Sequence, residues 1–204
     1  MSGLPVIIDG RSISALVVGA GPVGVRRAAS LLGAGARVHV VSLTRTPTLE
    51  RLRGFTDSLR LTLGRYSPEM LAGGVNYVVA ATHDVVVNRA VAADARARGM
   101  LVNVTDNPEI GTCVTPAVHR SGDIIIAVSA GGVPRVATRI RDYVASIVDD
   151  RFARASRALL ELRRELLQRG DREEWSAAAD TLISADFWQS VENESFWARL
   201  ATWD

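Results

Sequence analysis

Three groups of residues in this 204-residue chain have types and spacings suited to chemistry. The first is VVGAGPVGV, where Gly19, Gly21 and Gly24 fit G-x-G-x-x-G after an apolar run and at the opening of a helical one. In that context Gly19 permits a tight turn, Gly21 lets backbone approach a pyrophosphate, and Gly24 allows close helix–sheet packing. The helix N-terminus adds unpaired N–H groups and the positive end of its dipole. The second is Asp106 in NVTDNPEIG, a carboxylate at the end of a predicted strand. Asp before Asn-Pro forms turns by local backbone hydrogen bonding, and the alternative is an acid or base presented to a ligand. The third is a set of arginines, Arg120, Arg135, Arg139 and Arg141, around the sixth predicted strand and the helix start after it. Their planar forks suit a carboxylate-rich ligand, against the plainer reading of solvated surface charge.

The elements that must position these residues follow from hydrophobic patterning. Strands are expected at 14–19, 37–42, about 60–64, 76–81, 100–104 and 123–129, several of them apolar on both faces as buried parallel strands are. Helices are expected at about 22–33, 47–56, 67–73 and 84–98. This alternation predicts a parallel sheet with helices on both faces, so the fold class is α/β of Rossmann type. In such a sheet a nucleotide lies outside the carboxyl ends of the strands, at the switch point. The fourth strand ends there in Ala80, Ala81 and Thr82, small residues beside which a cofactor can lie, and the fifth delivers Asp106 to the same edge. His83 follows Thr82 and reads first as a surface loop histidine. The second strand ends Val41-Ser42-Leu43-Thr44-Arg45 with no acid for a ribose 2′-OH. Ser42 can contact a ribose and Arg45 can accommodate a 2′-phosphate, so this stretch leaves NAD and NADP both open.

Beyond residue 132 the pattern turns helical. Phe152, Leu159, Leu162 and Leu166, with Leu160 and Leu167, recur at helical spacing over 151–169, and Gly170-Asp171 mark its end. All four tryptophans, Trp175, Trp188, Trp197 and Trp203, follow, with core packing as their expected role.

Composition narrows the function classes. A net charge of +2, with no basic run interleaved with aromatics, argues against nucleic acid. All 24 basic residues are Arg, for which codon usage is the plain explanation. A single cysteine, Cys113, allows neither an intramolecular disulfide nor a cysteine zinc cluster, and packing is its expected role. No His, Cys, Asp and Glu set has metal-ligand spacing, so no permanently bound metal is expected. The start lacks the features of a signal peptide and no apolar run is long enough to span a membrane, so a soluble cytoplasmic protein is expected.

Taken together, LPVIIDGRSISALVVGAGPVGVRRAASLLGAGARVHVVS, VVAATHDVVVNRAV, NVTDNPEIGTCVTPA and IIIAVSAGGVPRVATRIR resemble, in order and spacing, the stand-alone precorrin-2 dehydrogenases of siroheme synthesis. The same stretches are similar to the N-terminal half of bifunctional siroheme synthases, and no methyltransferase module is expected to follow. The resemblance implies NAD-dependent oxidation of precorrin-2, a tetrapyrrole bearing eight carboxylates, to sirohydrochlorin. It implies Asp106 as general base, a nucleotide loop at Gly19, Gly21, Pro22, Val23 and Gly24, and a cofactor edge at Ala81 and Thr82. It implies a homodimer whose segment after the last strand crosses the interface. The expected parts are therefore an NAD-binding domain over 1–113, a dimerisation region over 114–148 and a small helical domain over 149–204.

Substrate contacts are expected from Arg120, Ser129, Gly131, Gly132, Arg135 and Arg139. The family loop close to S-[ST]-G-G-x-S-P is here Ser129-Ala130-Gly131-Gly132-Val133-Pro134-Arg135. Ala130 removes a hydroxyl that some members can modify, and Arg135 alters the charge facing substrate carboxylates. His83 stands where an acid is common, and Val41 where a polar residue is. Some members also insert ferrous iron as a second substrate, and this activity is ranked below dehydrogenase action alone. A non-catalytic NAD(H)-sensing module, or a carrier or chelatase without dehydrogenase action, are the rival readings.

Overall fold

The computed structural model describes residues 3–203, so residues 1, 2 and 204, at the outer limits of the first and last expected domains and of the expected leaderless start, lie outside the described residues. The chain divides into two compact units, residues 1–115 and 116–204.

The first unit is a five-stranded parallel sheet of order β3-β2-β1-β4-β5. Its strands are β1 (Ser14–Val18), β2 (Arg37–Ser42), β3 (Leu59–Leu63), β4 (Tyr77–Ala80) and β5 (Leu101–Val104). These fall where the apolar runs predict them, because a strand covered on both faces has no solvent side on which to carry polar residues. Helix α1 (Pro22–Gly33) buries Gly24, Val25, Ala28 and Leu32, one face of a 3.6-residue period. With Ile13, Val38, Val40 and Leu52 they form the core on one side of the sheet. Helix α2 (Val85–Ala97) opens on Asp84, whose carboxylate accepts from the N–H groups of Val86 and Val87. It buries Asn88, Val91, Ala92 and Ala95 in the core of the other side.

Two expected helices shrink. Residues 47–56 and 67–73 contain only 3-10 segments at Pro47–Leu52 and Pro68–Leu71. Each starts on a proline, and the second runs into Gly73 and Gly74, both with positive φ, which end it before an α-turn is established.

The second unit begins with β6 (Ala117–Ser121) and β7 (Ile124–Val128), an antiparallel pair that forms a sheet of its own. The sixth expected strand is thus no member of the parallel sheet. Only Gly122 and Asp123 separate it from β6, with Gly122 at φ +53°, and a link of two residues joins antiparallel neighbours only. Helices α3 (Pro134–Ile147), α4 (Asp150–Arg169), α5 (Arg172–Leu182), α6 (Phe187–Glu192) and α7 (Ser195–Leu200) complete the unit. Helix α4 ends on Gly170 in the left-handed conformation, as its sequence suggests, and buries Phe152, Leu159, Leu162 and Leu166. Around them pack Leu182, Val191 and Phe196, with Trp175 and Trp203 at the margin. Trp188 meets the Phe152 ring at 4.5 Å but, like Trp197, keeps one side in solvent.

Candidate dinucleotide and proton-transfer site

The parallel register brings the carboxyl ends of the central strands into line. Val18 pairs with Val41 on one side and with Ala80 on the other, and Ala80 pairs with Val104. The residues immediately beyond continue the ladder: Gly19 N–H donates to Val41 O (2.8 Å), Ala81 N–H to Val18 O (2.8 Å) and Thr105 N–H to Ala80 O (3.0 Å). Strand order reverses between β1 and β4, so Gly19, Ala81 and Thr82 stand at the switch point, where open α/β sheets hold their ligands.

The three glycines of the β1–α1 turn have distinct physical reasons. Gly19 sits at φ +108°, and a Cβ there would lie 2.5 Å from Ala81 O. A Cβ on Gly24 would lie 1.9 Å from Gly19 O, so the helix start could not close on the turn. Gly21 is different: its missing side chain faces open space, and among the described residues the nearest atom is His83 Nε2 at 3.8 Å. This is the cradle that a pyrophosphate needs, with backbone exposed at the helix N-terminus. Gly21 is also the N-cap of α1 and supplies no side-chain cap, which leaves the first-turn N–H groups of Val23 and Gly24 free for an anion. The Ala20 carbonyl, which would oppose a phosphate, is engaged by Thr46 Oγ1 (2.7 Å) and Thr48 Oγ1 (3.1 Å). These residues fit a bound dinucleotide. The two threonines were not singled out from sequence, and no local pattern marks them. Ser42 is half-buried at the end of β2, and Arg45 is exposed just beyond it.

Asp106 stands two residues past the end of β5, exposed at the same sheet edge. The expected local turn function belongs to its neighbour: Asn107 Oδ1 accepts from Glu109 N–H and caps the short turn Pro108–Ile110. Asp106 Oδ1 instead accepts from Asn88 Nδ2 at 3.1 Å. Asn88 also holds Thr82, accepting from its N–H (3.1 Å) and its Oγ1 (2.7 Å) and donating to its carbonyl (3.1 Å). A single buried amide therefore joins the cofactor edge to the carboxylate. Its signal in the sequence was a lone polar residue on the otherwise apolar stripe Val91, Ala92, Ala95 of α2. His83 is exposed.

The remaining predicted residues belong to the second unit. Gly131 (φ +53°) and Gly132 (φ +92°) form the turn before α3, closed by Val133 N–H on Ala130 O at 2.9 Å, and only glycine adopts both conformations without strain. Ser129, Arg120, Arg135 and Arg139 are exposed, and among the described residues none of these arginines forms an ion pair. Arg141 differs, since it bonds Val118 O and pairs with Asp142, which makes it a strut between α3 and β6. Cys113 is half-buried, and burial pushes its thiol up. Among the described residues no three His, Cys, Asp or Glu side chains gather as a metal-binding group. Nor is any helix there long and apolar enough to cross a membrane.

The sheet order, the uncapped glycine turn and the open floor over Gly21 define a dinucleotide-binding protein of the Rossmann class. The family described as "Putative NAD(P)-binding" matches residues 6–117, more than half of the chain, and the chain belongs to it. It is 41% identical over 160 residues to a siroheme synthase of Chromobacterium violaceum, a match covering 77% of this chain and 33% of the relative. It is 35% identical over 175 residues to the siroheme synthase of Nitrosomonas eutropha, covering 85% and 37%. The chain thus spans about a third of the length of the curated relatives it matches. The solved structure of SirC, precorrin-2 dehydrogenase, superposes with a TM-score of 0.77 at 25% identity, covering 98% of this chain and all of that one. The resemblance read from the motifs is borne out by these relatives, and the Rossmann fold class with helices after it by the superposition.

Proposed function

We propose that the protein oxidises precorrin-2 to sirohydrochlorin with NAD, and that Asp106 accepts the proton released in that step. The observation that carries this reading is the Asp106 carboxylate at the dinucleotide edge, tied through Asn88 to Thr82. Bound NAD+ would supply the hydride acceptor. The chain's part is to hold it with the Gly19–Gly24 turn, Ser42, Ala81 and Thr82, and to offer Asp106 as a positioned base. Two electrons and one proton leave the substrate as hydride, and the accompanying proton goes to the carboxylate. Arg120, Arg135 and Arg139, with the Ser129–Gly132 loop, are the proposed contacts for substrate carboxylates. Ferrous iron, if taken up, would be a further substrate, and the proposed site of action is the cytoplasm.

We further infer that 114–148 is a dimerisation region between the nucleotide domain and the helical domain over 149–204. The support is α3, on which Val136, Ile140 and Tyr143, spaced four and three residues apart, stay exposed.

The test is anaerobic precorrin-2 with NAD+, followed by sirohydrochlorin absorbance, and the same assay with NADP+. Asp106→Ala should lower turnover by roughly 10²–10⁴-fold with NAD+ affinity within about twofold of the parent. Turnover that survives the substitution removes Asp106 as base, and absence of oxidation by the parent protein removes the dehydrogenase itself.

A further inference from the structure

Asn88 is 1% exposed, in the first turn of α2, four residues past the Asp84 cap. A buried amide has two N–H donors and a carbonyl oxygen with two acceptor sites, and leaving any of them unmatched is costly. Here all four are engaged: the oxygen by Thr82 N–H and by the Thr82 hydroxyl, whose one proton lies between Asn88 Oδ1 (2.7 Å) and Asp84 O (3.0 Å), the nitrogen by Thr82 O and Asp106 Oδ1. The orientation of the amide follows from its partners. Reversed, it would set its nitrogen against the Thr82 N–H, and its oxygen against a carbonyl and a carboxylate.

We propose that Asn88 is a positioning residue for proton transfer: it fixes the Asp106 carboxylate against the Thr82 backbone that borders the cofactor. This rests on Asp106 as the proton acceptor. Among the described residues, the Asp106 side chain has no hydrogen-bond partner but Asn88, so its torsions have no other polar restraint. With Oδ1 occupied by the amide, Oδ2 is the oxygen left open to receive a proton. Three of the four Asn88 bonds run to Thr82, so the same side chain makes the distance between the two strand ends a property of the fold.

Asn88→Asp in the full chain is the discriminating variant. It keeps the shape and the acceptor side toward Thr82, but replaces the nitrogen that donates to Thr82 O and to Asp106 by a carboxylate oxygen. The expected result is NAD+ affinity within about threefold and a kcat lowered by roughly 10–100-fold at pH 8. Part of that loss should be regained toward pH 6, because two carboxylates in contact share a proton and the protonated one again donates. His83 and Asp84 are common to both proteins, so the difference between the two pH profiles belongs to position 88. A readout free of turnover is the side-chain amide NMR signal of Asn88, expected to be protected from exchange and to move in Asp106→Ala. Asn88→Ser serves if the aspartate variant does not fold, and should lower kcat about tenfold in the parent but not the residual single-turnover rate of Asp106→Ala. A kcat and pH profile equal to the parent's in Asn88→Asp, or a loss confined to NAD+ affinity, overturns the inference while leaving Asp106 as base. Full turnover in Asp106→Ala overturns the base reading itself, and this inference with it.

Discussion

The two units of the chain cover their apolar residues to different extents. In residues 1–115 the sheet is closed on both faces, with Leu16, Val17, Val40, Val78 and Val102 all at 0% exposure. In residues 116–204, Ile124, Ile125 and Ile126 of β7 are only half-buried, and α3 buries Ala137 alone. Val136, Ile140 and Tyr143 of that helix are 46%, 45% and 69% exposed. A parallel sheet wrapped by its own crossover helices can satisfy itself, whereas a two-stranded hairpin and one amphipathic helix seldom can. The first unit therefore reads as a finished binding module, whereas the second packs Ile124 and Ile126 of its hairpin on the helical core and leaves the apolar stripe of α3 exposed.

The largest expected effect tests how finished the first unit is. Gly24→Val would push a side chain into Gly19 O, so NAD+ binding should fall at least 100-fold and stability by about 3 kcal/mol. Gly21→Ala meets nothing closer than His83 Nε2 at 3.8 Å, so it should weaken NAD+ with the melting temperature unchanged. Isothermal titration and calorimetry on the pair measure both. Equal melting losses in the two variants would mean that the turn is a packing device with no ligand cradle.

The second test addresses the open face. Ile140→Asp puts a charge in the exposed stripe of α3. If a second copy covers that stripe, the dimer dissociation constant should rise about 30-fold or more, with NAD+ affinity unchanged, by sedimentation and titration. A parent protein that sediments as a monomer at all concentrations would break this side of the comparison.

The same contrast decides what the sequence alone makes legible. The buried strands of the first unit announce themselves as apolar runs, and the glycine motif ties β1, α1 and β2 into one unit, so the sheet and its ligand edge were legible. β6, with the sequence AVHRS, was not, because His119 and Arg120 break the alternation and the strand draws its support from β7 and from His119 bonding Val148 O. Asp106 was legible as a strand-end carboxylate. Its partner was marked only as a polar residue on an apolar stripe, since nothing local says that position 88 of α2 reaches the ends of both β4 and β5. The turn role first open to Asp106 went to Asn107, a choice between adjacent residues that only backbone geometry makes. Among the arginines, sequence could not separate Arg141, which holds Val118 O, from its exposed neighbours.

The smallest expected effects lie at opposite ends of the pH scale, one in each unit. Tyr77 opens β4 in the first unit, and burial, helped by its contact with Cys113, pushes its phenol up to about 12. A phenol with a folded-state value above its unfolded one of ~10 contributes stability that is complete below pH 10 and declines as pH rises toward 12. In the second unit the Arg199 guanidinium, and after it the Ser184 hydroxyl, hold the Asp186 carboxyl well below the usual range. That contribution is complete above the ordinary carboxylate value of ~4 and is lost only as pH falls further, and solvent around the half-exposed pair keeps it small. All four tryptophans lie in the second unit, so their fluorescence during denaturant unfolding follows that unit alone. Tyrosinate absorbance sums Tyr66 and Tyr77 of the first unit with Tyr143 of the second, so the Tyr77 signal is taken as the part that Tyr77→Phe removes. Asp186→Asn should narrow the tryptophan-detected stability gap between pH 7 and pH 2 while leaving the alkaline absorbance titration unchanged. If it shifts the Tyr77 part of the alkaline titration instead, the two units share one electrostatic response and the division drawn between them fails.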